Sequence, residues 1–400
     1  MKTYDVIIIG AGPTGLGIAE ELEKSNIKNY VILEREDHVG GIPYHCNHPT
    51  FGWISKQIPM TGPKFVKSLQ SKIPASKIKT CTTVLKICNE GIVEVHSFSG
   101  IEKIQGKRVV ICTGVRERSR AARLVSGMRP IGIFTTSALQ QFVYVNKRMP
   151  FSKPLIVGSE HVAFSALWTL RNAGIKPVAM IEKEDRIQTF FPLKYFGLFL
   201  GTNLQLNTRI KAINGISKVE SVDVIDNFGK VRNIPCDSII FCGDFVSENT
   251  LIRESNLKIS SPDIGPLVDK GYKTSDPYVY AAGNLIHPAD MGDRCYLEGK
   301  HVGKIIINDL NHNDIPIANA NREIELADDI YHSFPSMLGD KDNTDIKLRI
   351  RVKNNKHDVL DVKQGDKILL HKRQRLYMHR FYKLKINAIN PNIKLNLDLK

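Results

Sequence analysis

Two short constellations near the start of this chain carry residue types that do chemistry. The first is Gly10-Ala11-Gly12-Pro13-Thr14-Gly15, followed by Glu34 nineteen residues past the last glycine. Glycines in G-x-G-x-x-G spacing let backbone N–H groups approach a pyrophosphate, and an acid about twenty residues on accepts hydrogen bonds from ribose hydroxyls. The second is His45-Cys46-Asn47-His48. Two imidazoles and a thiol this close read as proton transfer or substrate contact, as a metal site, or as polar packing in a loop. H-C-N-H lacks further ligands at suitable spacing, so no metal is expected there.

The elements that must position the glycines are legible around them. Val6 to Ile9 is an apolar run suited to a buried parallel strand. The Ala/Glu/Leu/Lys-rich segment after Gly15 reads as a helix, and Tyr30 to Leu33 as a second strand ending at the acid. Gly10 allows the tight turn, Gly12 the close approach, and Gly15 the packing of helix on sheet. The helix N-terminus then turns its partial positive charge to the phosphates. An acid at position 34 disfavours a 2′-phosphate. A glycine turn without a ligand is the bland alternative, and it leaves the acid in register unexplained. Gly10, Gly12, Pro13, Thr14, Gly15, Glu34 and Arg35 are therefore the expected dinucleotide-binding residues.

A second strand–turn–helix–strand unit runs from Pro154 to Lys183. Gly158 holds the first position of its turn, but Glu160 stands at the third and Ala163 at the sixth. A side chain at 160 blocks backbone approach and sets a negative charge against a pyrophosphate. The expectation is a unit that keeps its fold and lacks a working NAD(P) site. The opposite reading is a shifted loop that still binds, with Glu182 at the end of the second strand holding a ribose.

Composition bounds the rest. Four hundred residues at 42% hydrophobic bury two or three cores. No run of about eighteen apolar residues exists, so no membrane-spanning helix is predicted. The glycine strand starts at once, so no signal peptide is expected. The seven cysteines show no C-x-x-C spacing and read as reduced thiols of a cytoplasmic protein, with Cys112 and Cys242 as core fillers.

Three later segments complete the pattern. Val109 to Arg118 reads as a strand ending at Thr113-Gly114, Ser238 to Glu248 as a strand returning to the first domain, and Gly299 to Leu310 as a closing helix. With Thr274 to Pro288, which holds Ala281-Ala282-Gly283-Asn284, they resemble the two-dinucleotide-binding-domain flavoproteins of the glutathione-reductase-like group. The resemblance covers about residues 1–310. It implies FAD on the N-terminal fingerprint, with Gly41, Thr113, Gly114, Gly283 and Asn284 also at the cofactor. Asn284 stands where the family has Asp, and Asn still hydrogen-bonds a ribityl hydroxyl or a phosphate oxygen.

The implied fold is α/β, two Rossmann-like domains with the FAD domain interrupted by the NAD(P)-like one, plus a small C-terminal all-β domain. The expected divisions are 1–115 and 236–315 for FAD, 116–235 for the NAD(P)-like domain and 316–400 for the appendage. The reductases' redox disulfide is missing. Its cysteines would follow the double glycine by about two and seven residues, where Pro43 and His48 stand. Disulfide reductase activity is not expected. A lone-cysteine peroxidase or NADH oxidase would need NAD(P)H, which the second turn opposes.

A narrower resemblance rests on GGIPYHCNHPTFG (Gly40 to Gly52), TGP (Thr61 to Pro63) and the stretch from Thr113 to Gln140. These are similar to the FAD-binding alpha-type subunits of opine oxidases, hydrogen cyanide synthase and dye-linked proline or sarcosine-type dehydrogenases. Similar subunits accompany anaerobic glycerol-3-phosphate dehydrogenases. The implied role is electron transfer through flavin N5 in a heteromeric amine, amino-acid or hydroxy-acid dehydrogenase. The implied partners are a second flavoprotein and a small iron–sulfur or Cys-rich chain, since this chain has no cluster motif. His45, Cys46 and His48 are the catalytic candidates. Two other functions stay open: a stand-alone NAD(P)H-dependent flavin reductase, and an assembly subunit whose FAD is structural. Arg116, Arg118, Arg120, Arg123 and Arg129 read either as a site for an anionic substrate or partner, or as a solvated basic loop.

Residues 345–400 hold fifteen Lys/Arg against five Asp/Glu, two thirds of the net charge of +15. Their period-two alternation predicts antiparallel strands. The basic face suits an acidic partner subunit or the inner face of an anionic membrane. Nucleic acid is not expected, because no recognition motif is present. The Lys/Asn/Ile bias of the whole chain supports the bland reading of a generally basic composition.

Overall fold

A computed structural model describes residues 1–189, 202–261, 263–312, 322–338, 345–353, 356–376, 381–387, 389 and 395–399. The chain forms two units. One holds residues 1–41, 66–115 and 247–400, the other 42–65 and 116–246.

The first unit opens with β1 (Lys2–Ile9), α1 (Pro13–Lys24) and β2 (Tyr30–Leu33). Proline at the first helical position is pre-set for the helix and has no N–H to leave unpaired. β3 (Ile78–Lys79), β4 (Thr83–Ile87), β5 (Ile92–Ser97) and β6 (Gly100–Ile111) complete the run, in the order β3-β2-β1-β6-β5-β4. β1 is parallel to β2 and β6, with Ile9 opposite both Leu33 and Ile111. That register brings Gly10, Glu34 and Cys112 to the carboxyl edge of the sheet. Val6 to Ile9, Tyr30 to Leu33 and Val109 to Ile111 are all buried. Central parallel strands covered on both faces give unbroken apolar runs.

The second unit repeats the plan. β7 (Ile133–Thr135), β8 (Pro154–Val157), α2 (His161–Asn172), β9 (Ala179–Ile181) and β10 (Leu204–Gln205) lead to a three-stranded antiparallel sheet. Its strands are β11 (Thr208–Asn214), β12 (Ser221–Asp226) and β13 (Val231–Pro235), and β14 (Ser238–Phe241) follows. The parallel sheet runs β10-β9-β8-β14-β7. Val157 stands opposite Ile181 and Phe241, so Gly158, Glu182 and Cys242 share one edge, as Gly10, Glu34 and Cys112 do.

Two sequence expectations are corrected here. β14 was expected to begin the return to the FAD domain, but it pairs with β8 and β7, and the units divide between residues 246 and 247. A fully buried four-residue strand is claimed by whichever sheet has the open edge, and sequence does not show that. Residues 42–65 were expected with the FAD domain and belong to the second unit, where the Cys46 thiol reaches Gln140 at 3.2 Å.

Back in the first unit, β15 (Val279–Ala281) adds to the sheet beside β6, and α3 (Gly292–Asn311) packs along α1. The C-terminal strands β16 (Ile330–Phe334), β17 (Ile346–Val352), β18 (Lys356–Gln364), β19 (Lys367–Leu376), β20 (Tyr382–Ile386) and β21 (Asn396–Leu399) belong to this unit too. β16-β17-β20 form one antiparallel sheet, and β18 pairs antiparallel with both β19 and β21. The alternation is as expected: Ile346, Leu348 and Ile350 are buried, while Lys347 is exposed. Leu360, Val362, Leu384 and Leu397 join them in one core.

α1 and α3 are also tied electrostatically. Glu20 accepts from Lys24 (2.7 Å), Lys72 (2.8 Å) and the Tyr296 hydroxyl. Burial alone would raise its carboxyl; these donors outweigh it and bring it down to about 2. A depressed carboxyl stabilises the fold above its unfolded value and loses that stabilisation as pH falls toward the folded one. The melting temperature should therefore fall as pH drops from about 4.5 toward about 2, and Glu20→Gln should flatten that part of the profile. An unchanged acid limb in the variant would place the sensitive carboxylate elsewhere.

Candidate functional site

The first glycine turn is built around an open space. Gly10 has φ +104, where a Cβ would press on the Cys112 carbonyl at 2.6 Å. Its N–H donates to Leu33 O at 2.8 Å, which carries the chain across the sheet edge. A Cβ on Gly12 or Gly114 would meet nothing within 4 Å, and one on Gly41 only the Gly12 Cα at 3.4 Å. Gly12 and Gly41 thus flank one cradle that the protein leaves open, and Gly114 also faces open space. The Gly40 N–H donates to Ala11 O at 2.9 Å and fastens the double glycine to the fingerprint.

Glu34 is set at this cradle rather than swinging freely. Oε2 accepts from Ala11 N (2.8 Å) and Oε1 from Glu36 N (3.1 Å). Both oxygens keep lone pairs for ribose hydroxyls. No side chain caps the N-terminus of α1, whose first turn holds Pro13, Thr14 and Gly15. Open glycines, a held acid and an uncapped helix start are what the ADP half of FAD requires, so these residues fit the cofactor.

The other residues expected at the cofactor are placed as follows. The Thr113 hydroxyl donates to Glu248 O at 3.3 Å, and Gly114 O accepts from Glu248 N at 3.0 Å. Gly283 lies against Thr14, and its N–H donates to Glu298 Oε2 at 3.1 Å. Asn284 is engaged locally: Oδ1 accepts from Asp290 N (2.9 Å) and Nδ2 donates to Asp290 O (3.2 Å). Arg35 is exposed and pairs with Glu36 at 3.1 Å. Sequence reasoning missed Ala11 and Glu298. Ala11 contributes only its backbone, and Glu298 meets Gly283 through tertiary packing that no local pattern announces.

The second turn repeats this wiring with different occupants. Gly158 has φ +103 and lies over Cys242 O. Glu182 is buried and held like Glu34, with Oε1 accepting from Glu184 N at 3.1 Å. Its Oε2, however, accepts from the Ser159 hydroxyl at 2.5 Å. Burial raises the Glu182 carboxyl, and the Ser159 bond offsets only part of that. Glu160 turns its Oε1 to Asp244 N at 3.1 Å, and a Cβ on Gly243 would run into the Glu160 carboxylate.

The basic stretch serves the same edge. Arg118 reaches Asp244 at 3.2 Å, Arg120 donates to Ser126 O and Gly127 O, and Arg123 donates to Gly243 O at 2.6 Å. Arg118, Arg120 and Arg123 are thus engaged within the unit.

His45, Cys46 and His48 lie in one loop of the second unit. A 3-10 turn, Ile42–His45, starts it, and Phe51 pairs with Met60 to close it. His45 is buried. The Cys46 thiol is buried beside Gln140 Oε1 (3.2 Å) and Ile42 O (3.3 Å). Burial, with the Glu117 carboxylate nearby, pushes it well above the usual thiol range, so it is not a ready thiolate. His48 Nδ1 lies 2.7 Å from the Thr50 hydroxyl, its ring stacks on Phe51, and burial lowers it to about 4. None of the seven cysteines is paired.

Comparison with known proteins adds three findings. Residues 4–303 match the family described as pyridine nucleotide-disulphide oxidoreductase. The soluble pyridine nucleotide transhydrogenase of Ectopseudomonas mendocina (strain ymp) is 23% identical over 340 residues, covering 76% of this chain and 71% of that one. The transhydrogenase of Azotobacter vinelandii (strain DJ / ATCC BAA-1303) is 24% identical over 341 residues with the same coverage. Among solved structures, T. acidophilum thioredoxin reductase aligns with TM-score 0.64 at 18% identity, over 78% of this chain and 100% of that one. L-proline dehydrogenase from P. horikoshii gives TM-score 0.58 at 22% identity, over 78% of this chain and 57% of that one.

Two outcomes follow from the geometry. Gly12→Glu should fold normally, since nothing stands within 4 Å of a Cβ there, but should purify without bound FAD; a yellow variant would move the cofactor from this cradle. Cys46 should resist alkylation in the native protein while the partly exposed Cys81 and Cys88 react. Labelling of Cys46 at their rate would refute the buried-thiol assignment.

Proposed function

Because the chain belongs to the pyridine nucleotide-disulphide oxidoreductase family, whose working cofactor is FAD, we propose that it is the electron-transferring FAD subunit of a heteromeric dehydrogenase. The substrates are amines, amino acids or hydroxy acids. One observation carries this reading: Glu160, hydrogen-bonded to Asp244 N and lying over Gly243, puts a carboxylate where a second nucleotide would set its pyrophosphate. Such a flavin is not served by a nicotinamide on the second unit. The cofactor supplies hydride or electron acceptance at N5. The chain's residues do the rest. Gly12 and Gly41 admit the phosphates, Thr14 and Gly15 bring the backbone N–H groups of the helix start, and Glu34 orients the ribose.

His48, lowered to about 4, is neutral near pH 7 and suits hydrogen-bonded substrate contact. His45 is the proton acceptor in this reading. Cys46 supports the loop. A second flavoprotein and a small iron–sulfur or Cys-rich chain are the partners, and the solved proline dehydrogenase is consistent with an amine-type donor. The basic C-terminal strands suit an acidic subunit or an anionic membrane surface.

A stand-alone NAD(P)H-dependent flavin reductase is the second reading. Glu182, placed as Glu34 is, favours it, as do the transhydrogenase relatives by name. An anaerobic absorbance titration separates the two. In the proposed role NADH and NADPH leave the flavin band intact, and dithionite bleaches it fully. Fast bleaching by either nucleotide would retire the subunit reading.

A further inference from the structure

The second unit carries an apolar face away from its glycine turn and its histidine loop. Residues 126–131 run alongside the end of β11 and the turn that follows it. Ser126 O accepts from Ile213 N at 3.2 Å, and Ile213 O from Met128 N at 2.8 Å. Ser217 O accepts from Ile131 N at 3.1 Å, and Ile131 O from Val219 N at 3.0 Å. Large apolar side chains on and beside these segments stand in the open. Leu124 is 88% exposed, Met128 51%, Ile131 76% and Ile216 83%. Single exposed apolar residues are ordinary on a protein surface, whereas several on adjoining, hydrogen-bonded segments mark a contact face.

Leu124 is held where it gains the fold nothing. Its φ is +54, a left-handed conformation that Gly or Asn adopts with less strain. Its side chain buries almost no surface there. The turn around it is nonetheless fixed. Leu124 N donates to Ala121 O at 3.1 Å, and Arg120 Nη2 donates to Ser126 O at 3.1 Å and Gly127 O at 3.0 Å. Arg123 Nη2 ties the same turn to Gly243 O at 2.6 Å. An apolar side chain on a braced turn has little freedom left to lose when it is bound.

The charges around this face say what it meets. Arg129 and Lys218 stand exposed on the same two segments. Among the described residues neither pairs with a carboxylate. Burial, with the Arg129 cation nearby, lowers the Arg120 guanidinium, so positive charge gathers here. In a two-fold contact between copies the patch would meet itself, cation against cation. A head-to-tail contact would need an acidic face from a chain with 56 Lys and Arg against 41 Asp and Glu. An anionic membrane is held by clusters of about four to eight Lys or Arg. Here Arg118, Arg120 and Arg123 are turned instead onto Asp244 and main-chain carbonyls. Apolar side chains flanked by unpaired cations suit a protein surface with an apolar centre and carboxylates at its rim.

We propose that Leu124, Met128, Ile131 and Ile216 form the docking face for the second flavoprotein chain, with Arg129 and Lys218 facing its carboxylates. This rests on the subunit reading above and gives that partner a place on the molecule. The apolar side chains hold the complex together once formed, and the two cations steer the encounter.

The test titrates the flavoprotein dehydrogenase chain encoded beside this one, purified separately, into the full FAD-loaded chain at low and high salt. Leu124→Asp, Ile131→Asp and Arg129→Ala are compared with the native protein. The control is Phe228→Asp, 96% exposed at the far end of the same sheet, where Asp226 faces Thr208. All four should keep the native melting temperature and FAD content, since the side chains are exposed and Asp tolerates the left-handed backbone at 124. Leu124→Asp and Ile131→Asp should each weaken the complex about tenfold or more. Arg129→Ala should flatten the salt dependence, and Phe228→Asp should bind as the native chain does. Native affinity in both Asp variants would overturn the docking face and leave the subunit reading standing. No complex with the native chain would retire both. Binding of the native chain to phosphatidylcholine–phosphatidylserine vesicles, or its dimerisation in sedimentation, lost in Ile131→Asp while the complex survives, would give the face to a membrane or to a second copy and overturn the assignment.

Discussion

Thr14 is the point on which the first unit closes. A Cβ on Gly283 or on Gly299 would run into this one residue, and a Cβ on Gly17 would run into Tyr296 O. The first turn of α1 is therefore held at backbone distance from the end of β15 and from α3. Such contact leaves no slack, since interiors are packed to near-crystalline density and small displacements are felt at once. The cradle inherits that rigidity. Its glycines face open space, while the helix start that supplies the N–H groups cannot drift. Glu20 and its lysine and tyrosine partners fasten the same two helices farther along.

Much of this was legible in the sequence because it is local. The order strand, glycine turn, helix, strand, acid is written within thirty-odd residues, and Gly10 through Glu34 occupy the places it implies. Period-two alternation after residue 345 gives its strands for the same reason. What was not legible depends on partners distant in the chain. Ser238–Phe241 has an apolar run that suits either sheet, and only the open edge beside β8 decides. His45 through His48 follow the fingerprint closely in sequence yet fold with residues 116–246. The basic C-terminus read as an appendage, whereas Arg351 and His332 are buried against the loop that follows Gly283.

The two turns form an internal comparison. Gly10 and Gly158 share their backbone conformation, and Glu34 and Glu182 each accept an N–H two residues on. The difference lies at two positions. Ala11 offers Glu34 only a backbone N–H, whereas Ser159 brings a hydroxyl to Glu182; Gly12 leaves space, whereas Glu160 fills it. A hydroxyl on the acid and an anion at the glycine loop are also what a dinucleotide would bring.

The second turn thus holds a hydroxyl and a carboxylate of its own covalent chain at these two places, and such contacts have their own thermodynamics. A site that waits for a ligand gains stability as RT ln(1 + [L]/Kd), so its fold is strengthened or weakened by the cell's supply. The first turn is of this kind. In the second, the groups are present at the fixed effective concentration of an intramolecular contact, which no metabolic state dilutes. One half of the molecule answers to cofactor supply; in the other, the Ser159 and Glu160 contacts answer to the chain alone.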